Sequence, residues 1–358
     1  MLKFHNATVT EKTQETDDSV LLSLSVPQDA AGEFQYSQGQ HLVVRADVNG
    51  EVMRRTYSIC SSVEEKRLRI GVRTQGKFSG YVADKLAVGD TIEVMPPTGH
   101  FQTPLDASNK KIYVAFVAGS GITPILSILK TTLETENDSR FIVFYGNRKR
   151  SSTMFVEQLL GLKNLYAERL SLHFILSQEE GEIPVYNGRV DGTKVNILQQ
   201  NFLKDIAIDD FFICGPNPMI DDVRDSLIEL GYKKEQIHSE RFRAEEEAAS
   251  ATEENPATRD RPGDKGTRVT VIMDGNQQSF EMRSNEQTLL DAAQENGLDL
   301  PYSCMGGVCS TCRTLLSKGK VNMAANFALE DWELEEGFIL ACQARPESDE
   351  IEIDYDQA

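Results

Sequence analysis

At 358 residues and a formal net charge of −19, the chain is long enough for two or three domains with separate cores, and its acidity argues against nucleic acid as a partner. No charged-then-apolar leader opens the sequence, and its longest apolar runs, such as Ile112–Ala118, are far too short to span a bilayer, so a cytoplasmic protein without membrane association is expected. The charge is uneven: residues 268–358 hold 17 Asp or Glu against 6 Lys or Arg, a local balance of −11, which would either steer a basic redox partner or simply keep the surface soluble.

In chain order, residues 1–106 carry short β-branched runs, Val20–Val26, His41–Ala46, Leu68–Arg73 and Thr91–Met95. Such spacing predicts an antiparallel β-barrel. Within it, Arg54-Arg55-Thr56-Tyr57-Ser58 closes a strand, and period-two alternation puts Arg55 and Tyr57 on one face. A cation for a phosphate and a ring for a flat heterocycle suit a flavin nucleotide; an ordinary strand with a surface tyrosine fits the same pattern. Gly76-Lys77-Phe78-Ser79 precedes a helical run, Tyr81–Leu86, whose start can receive phosphate.

From 107 to 242 the pattern changes to buried strands, Ile112–Ala118, Arg140–Tyr145, Ser171–Leu176 and Phe211–Cys214, alternating with helices of which Ile125–Leu133 and Met219–Leu230 are clearest. That alternation predicts a doubly wound α/β parallel sheet. After the first strand, Gly119-Ser120-Gly121-Ile122-Thr123-Pro124 offers two glycines for close approach to a pyrophosphate, Thr123 as a helix cap and Pro124 at the first helical position. The third glycine of the dinucleotide fingerprint is missing, so a purely structural turn accounts for the segment equally well. Cys214-Gly215-Pro216 ends the last strand at the edge where open parallel sheets bind ligands, although a cysteine there is often only a small apolar filler. Following the second strand, Tyr145-Gly146-Asn147-Arg148-Lys149-Arg150-Ser151-Ser152 sets cations and hydroxyls where an NAD enzyme commonly has a carboxylate. Arg148 and Arg150 therefore favour NADPH over NADH, with a solvated basic loop as the alternative.

Residues 243–267, poor in large apolar side chains, read as a linker. In the last segment, 268–358, Arg268–Met273 and Gln278–Met282 read as a hairpin, Thr288–Asn296 as a short helix and Ile351–Tyr355 as a closing strand, an α+β module. Cys304, Cys309, Cys312 and Cys342 have the C-x4-C-x2-C…C spacing of plant-type [2Fe–2S] ligands. Zinc is the alternative, but zinc ribbons pair C-x2-C knuckles and have no use for the four-residue gap. Cys60 and Cys214, remote from these in sequence, read as reduced thiols in a reducing compartment.

Taken in order, R-x-Y-S, G-x-x-S, G-S-G-I-T-P, C-G-P and the four cysteines make the chain resemble the ferredoxin–NADP reductase superfamily with a plant-type, β-grasp ferredoxin fused at the C-terminus. Within it, the chain looks like the reductase components of phenylacetyl-CoA epoxidases, whose diiron oxygenase subunits are separate chains; reductases of Rieske-type and steroid hydroxylases share the order. The resemblance implies that Arg55, Tyr57, Ser58, Gly76 and Ser79 hold FAD, and that Gly119, Gly121 and Thr123 receive the pyridine nucleotide. It implies further that Cys214, Gly215 and Pro216 border the nicotinamide, with Glu240 as the acidic residue near the flavin after the last strand. Cys214, Glu240 and Ser58 are thus the candidate catalytic residues. Phe242 either covers the flavin or anchors the linker. A nicotinamide gives up two electrons together and an iron–sulfur cluster takes one, so a carrier able to hold either number must stand between them. The competing function is a redox sensor whose cofactors report without turnover.

Overall fold

The computed structural model describes residues 3–242 and 266–357, apart from 283 and 285. Most of the stretch expected to be a linker, 243–267, lies outside the described residues. Two units result, one made of His5–Met53 and Tyr57–Phe242, the other chiefly of the residues C-terminal to them.

In the first unit, six strands, β1 (His5–Thr16), β2 (Ser19–Ser25), β3 (His41–Val48), β4 (Glu51–Ser58), β5 (Leu68–Arg73) and β6 (Thr91–Val94), form a sheet in the order β4-β3-β6-β1-β2-β5. A bridge between Ile59 and Ile70 joins its two edges, so the antiparallel sheet closes into the expected barrel and no edge is left unpaired there. Alternation drives the closure: Ala7 and Val9 of β1 point inward with Val20, Leu22, Val44 and Ile92, while intervening residues turn away from that core, those of β1 toward solvent and Leu21 of β2 into the adjoining core. Helix α1 (Lys77–Asp84) covers one end. It starts directly after Gly76, four residues before the run read from sequence, because Ser79 supplies the missing cap by accepting from Gln75 N and Gly76 N at 2.9 and 3.0 Å.

The same unit continues into a five-stranded sheet ordered β11-β10-β7-β8-β9, in which β7 (Ile112–Ala118), β8 (Arg140–Asn147), β9 (Leu170–Leu176), β10 (Asp210–Gly215) and β11 (Ile237–Arg241) all run parallel. Residues of β7 alternate between two cores, Tyr113, Ala115 and Val117 in one and Val114 and Phe116 in the other. Helices therefore cover both faces, among them α2 (Ile122–Thr135), α3 (Val156–Leu165), α4 (Gly192–Leu198) and α5 (Asn217–Glu229), as a doubly wound sheet requires. The chain winds outward from β7 to β8 and β9, then returns to the other side of β7 as β10. That reversal opens a crevice at the C-terminal ends of β7 and β10.

In the second unit, β12 (Thr267–Met273) and β13 (Asn276–Met282) pair antiparallel through Asp274-Gly275, both at positive φ, the geometry of a tight hairpin turn. Helix α6 (Leu289–Glu295) is capped by Thr288, whose hydroxyl accepts from Asp291 N at 3.1 Å. With β14 (Arg313–Lys318), β15 (Val321–Met323), α7 (Asp331–Glu335), β16 (Phe338–Leu340), β17 (Ala344–Pro346) and β18 (Glu350–Asp354), the order is β13-β12-β18-β14-β16, plus a β15–β17 ribbon. Only β12 and β18 in the main sheet are parallel, which gives the mixed β-grasp layout packed over α6.

Candidate functional site

The candidate site residues fall into three sets. The first lies where the barrel meets the parallel sheet. Ser58, 3% exposed at the end of β4, donates from Oγ to Glu240 Oε2 at 3.2 Å. Glu240 lies within β11, not after the last strand: residues 237–241 add a fifth parallel strand that the mixed pattern Ile-His-Ser-Glu-Arg concealed. There Glu240 is the register partner of Cys214 on β10. Its other oxygen, Oε1, faces His41 Nδ1 at 3.6 Å, and His41 Nε2 meets Thr98 Oγ1 at 3.2 Å. Sequence reasoning missed His41, because 199 residues of chain separate it from Glu240. Burial, followed by the Glu240 charge, pushes the Cys214 thiol well up, so at neutral pH it stays an uncharged, compact wall. Tyr57 stacks on Phe78 of α1 with ring centroids 6.2 Å apart, and Arg55 is half-buried. Ser79's hydroxyl is committed to its own turn, which leaves the first-turn amides of α1, rather than that hydroxyl, free for a phosphate. Phe242 packs on the core that includes Cys60 and Cys214.

The crevice between β7 and β10 holds the second set. After β7 the chain makes a 3-10 turn, Gly119–Gly121, before α2 begins at Ile122. Thr123 therefore sits inside the helix, donating to Ser120 O at 2.9 Å, and Pro124 is the third helical residue; neither takes the terminal position their types suggest. The glycines are sterically required. A Cβ on Gly121 would come within 2.3 Å of the Cys214 carbonyl oxygen, and Gly119 has φ +57°, a conformation that penalises other residues. Gly215, Pro216 and Asn217 follow Cys214, and Asn217 Oδ1 is buried with no hydrogen bond among the described residues. At the end of β8, Arg148 and Arg150 are exposed, the backbone N–H of Arg150 donating to Glu179 Oε2 at 3.1 Å.

The third set is the cysteine loop. Met305, Gly307 and Ser310 are all at positive φ, curling the chain so that Gly306 N and Val308 N point at Cys304 Sγ from 3.3 and 3.4 Å. Cys309 and Cys342 hydrogen-bond to that same sulfur and hold it well toward the thiolate, while Cys342 also meets Cys312. Contacts from Cys304 to Cys309 and Cys342, and from Cys342 to Cys312, link the four sulfurs in a chain, and with amides aimed at one of them they are the donor type an iron–sulfur cluster requires.

Comparison with known proteins accords with this geometry. The model of the oxidoreductase FAD-binding domain matches residues 6–103, that of the oxidoreductase NAD-binding domain residues 116–225, and that of the 2Fe-2S iron-sulfur cluster binding domain residues 271–347. Barrel, parallel sheet and cysteine loop thus define an oxidoreductase that joins flavin, pyridine-nucleotide and iron–sulfur modules in one chain. Over 99% of its length the chain is 39% identical to one of the subunits of the 1,2-phenylacetyl-CoA epoxidase from Escherichia coli (strain K12), covering 99% of that protein. A 3-ketosteroid-9-alpha-monooxygenase ferredoxin reductase component from Rhodococcus rhodochrous is 31% identical over 97% of this chain and 96% of its own. Among solved structures, phthalate dioxygenase reductase superposes with a TM-score of 0.58 at 26% identity, covering 98% of both chains. The chain belongs to the ferredoxin–NADP reductase-like family with a fused C-terminal 2Fe-2S domain. Among the described residues no helix is long and apolar enough to cross a membrane.

Proposed function

We propose that the protein is a cytoplasmic, NADPH-dependent reductase that passes electrons through FAD and a [2Fe–2S] cluster to a separate oxygenase, that of a phenylacetyl-CoA epoxidase, and that it is divided at 1–106, 107–242, 243–267 and 268–358. The observation that carries the reading is the convergence of Ser58, Glu240 and Cys214, from two sheets, beside the glycine turn of the crevice. A sensor has no need of an acid, a hydroxyl and a neutral thiol gathered where a nicotinamide would meet a flavin. When bound, the flavin supplies the exchange between a two-electron donor and a one-electron acceptor. The chain's own part is positioning. Tyr57 and the α1 amides, with Arg55 and Gly76, hold the flavin nucleotide; Gly119, Gly121, Thr123, Gly215 and Pro216 shape the nucleotide crevice. Cys304, Cys309, Cys312 and Cys342 ligate the iron. Arg148 and Arg150 favour the 2′-phosphate of NADPH, since their exposed guanidiniums follow β8 where a ribose-binding carboxylate would otherwise stand. Whole-length identity of 39% to the Escherichia coli epoxidase component supports the choice of partner.

Anaerobic rapid mixing tests the chain of events: NADPH should bleach the flavin band first and the cluster band after it. Cys342→Ser should abolish delivery to cytochrome c while ferricyanide is still consumed. Arg148→Ala with Arg150→Ala should weaken NADPH and spare NADH. A coupled assay with purified epoxidase subunits should show substrate-dependent NADPH consumption. Slow, substoichiometric bleaching would instead favour the sensor.

A further inference from the structure

Gly119, the positive-φ first residue of the crevice turn, is approached from two directions by residues with no motif to announce them. From β8, Tyr145 donates its hydroxyl to the Gly119 carbonyl at 2.9 Å. The ring is 1% exposed; burial foremost pushes its hydroxyl well above the usual tyrosine value, so it stays a donor. From the barrel, Arg73 at the end of β5 reaches the same residue: a Cβ on Gly119 would lie 3.3 Å from Arg73 Nη1. Asp18, in the β1–β2 turn, takes the other two guanidinium nitrogens, Nε at 2.9 Å and Nη2 at 2.7 Å, on one oxygen. Its second oxygen accepts from Thr16 Oγ1 at 2.8 Å, and the Asp18 carbonyl accepts from Thr74 N at 2.8 Å, so the carboxylate is itself fixed.

We propose that Tyr145 and Asp18 are positioning residues of the pyridine-nucleotide site, Tyr145 by pinning the Gly119 carbonyl away from the ligand and Asp18 by aiming Arg73 Nη1 at its pyrophosphate. A glycine turn binds anions only while its amides, not its carbonyls, face the ligand. Within the turn the Gly119 carbonyl also accepts from the Ile122 N–H, and the Tyr145 hydroxyl adds a second bond, from a neighbouring strand, that holds it against swinging inward. The Asp18 carboxylate is 41% exposed and Arg73 only 17%. Solvent therefore screens the carboxylate's repulsion of a phosphate, while the side-on geometry it imposes on the guanidinium persists. Aiming outweighs repulsion. Because a pyrophosphate is common to both coenzymes, these residues act on NADPH and NADH alike, unlike Arg148 and Arg150.

The inference rests on the nucleotide reading given under Proposed function, and rapid mixing of the holoenzyme separates the two. For each coenzyme, the dependence of flavin bleaching on nucleotide concentration yields a Kd and a limiting rate. Tyr145→Phe, which keeps the ring packed, and Asp18→Ala should each raise Kd about fivefold for both coenzymes with the limiting rate held within about twofold, the loss of one hydrogen bond's worth of order. Arg73→Met should raise Kd on the order of 10–100-fold, and Asp18→Ala in that background should add nothing, since Asp18 acts only through Arg73. Unchanged or tighter Kd values, a fall in limiting rate alone, or additive effects of Asp18 and Arg73 overturn the proposal even though the wild type is reduced normally. Failure of either coenzyme to reduce the wild-type flavin overturns the nucleotide reading and the proposal with it.

Discussion

Glu240 is held by neighbours that distribute its interactions unequally: a hydroxyl from Ser58 at 3.2 Å and an imidazole edge from His41 at 3.6 Å, with the carboxylate 10% exposed. A carboxylate that is buried and only lightly hydrogen-bonded is costly to keep unless its charge serves something. Its position opposite Cys214 puts that charge next to the crevice, where a field acts most strongly on charge that develops during transfer. Glu240→Gln keeps shape and hydrogen bonding while removing the charge. It should slow the limiting rate of flavin reduction on the order of 10²-fold, with nucleotide Kd unchanged. Rapid mixing reads both quantities, and the outcome is opposite in kind to that expected of Tyr145→Phe. A limiting rate within twofold of wild type would assign Glu240 to packing. Cys214, kept neutral by burial and by Glu240, has no acid–base part to play, so its contribution is a small, shaped surface.

Strand β10 is pinned at its start by a buried acid that belongs to the fold and not to the site. Asp210 Oδ1 meets His238 Nε2 of β11 at 3.0 Å, and Oδ2 meets Lys111 Nζ, just before β7, at 3.2 Å. Burial alone would raise this carboxyl, but His238 and Lys111 outweigh it and hold it below its ordinary value of 3.8. The sign follows: a group whose folded pKa is depressed stabilises the fold above its unfolded value and loses that contribution as pH falls through the folded one. Asp210→Asn should therefore destabilise the first unit by about 2 kcal/mol at neutral pH. The gap to wild type should close in the acid range below 3.8. Thermal scans of the transition assigned to this unit, run down the pH series, would show a constant gap if the contacts with Lys111 and His238 were not its source. The same elements mark how far sequence reaches. Strands β7, β8 and β10 are continuous apolar runs, unmistakable because both faces are buried. By contrast, β11 is an edge strand of mixed polarity whose identity is fixed by pairing with β10, a long-range event that periodicity does not register. The start of α2 slipped for a related reason: the 3-10 turn Gly119–Gly121 reassigns Thr123 from cap to interior, and tertiary contacts with Cys214 and Tyr145 hold that turn.

At the scale of the whole molecule, the legible features were those written in local spacing: the cysteine quartet, the glycine turn and the change from short strands to alternating strands and helices. The illegible ones, His41 with Glu240, Tyr145 with Gly119 and Arg73 with Asp18, are pairs whose partners lie 26 to 199 residues apart. Charge is a further property of the whole, and it divides the chain's tasks. Arg148, Lys149 and Arg150 form an exposed basic run after β8, whereas residues 268–358, which hold the four cysteines, carry the local balance of −11. An anionic coenzyme at that basic loop and a basic acceptor at residues 268–358 would thus each meet local charge of the opposite sign. Screening length shrinks from ~30 Å at 0.01 M salt to ~3 Å at 1 M, so electron delivery to a basic acceptor such as cytochrome c should fall about tenfold or more across that range. Delivery to ferricyanide, an anion, should hold steady or rise as repulsion by the acidic module is screened. Running both acceptors at saturating NADPH removes the coenzyme's own salt dependence from the comparison. Parallel decline with the two acceptors would mean that salt acts on the flavin or nucleotide step, and that the acidity of residues 268–358 serves solubility alone.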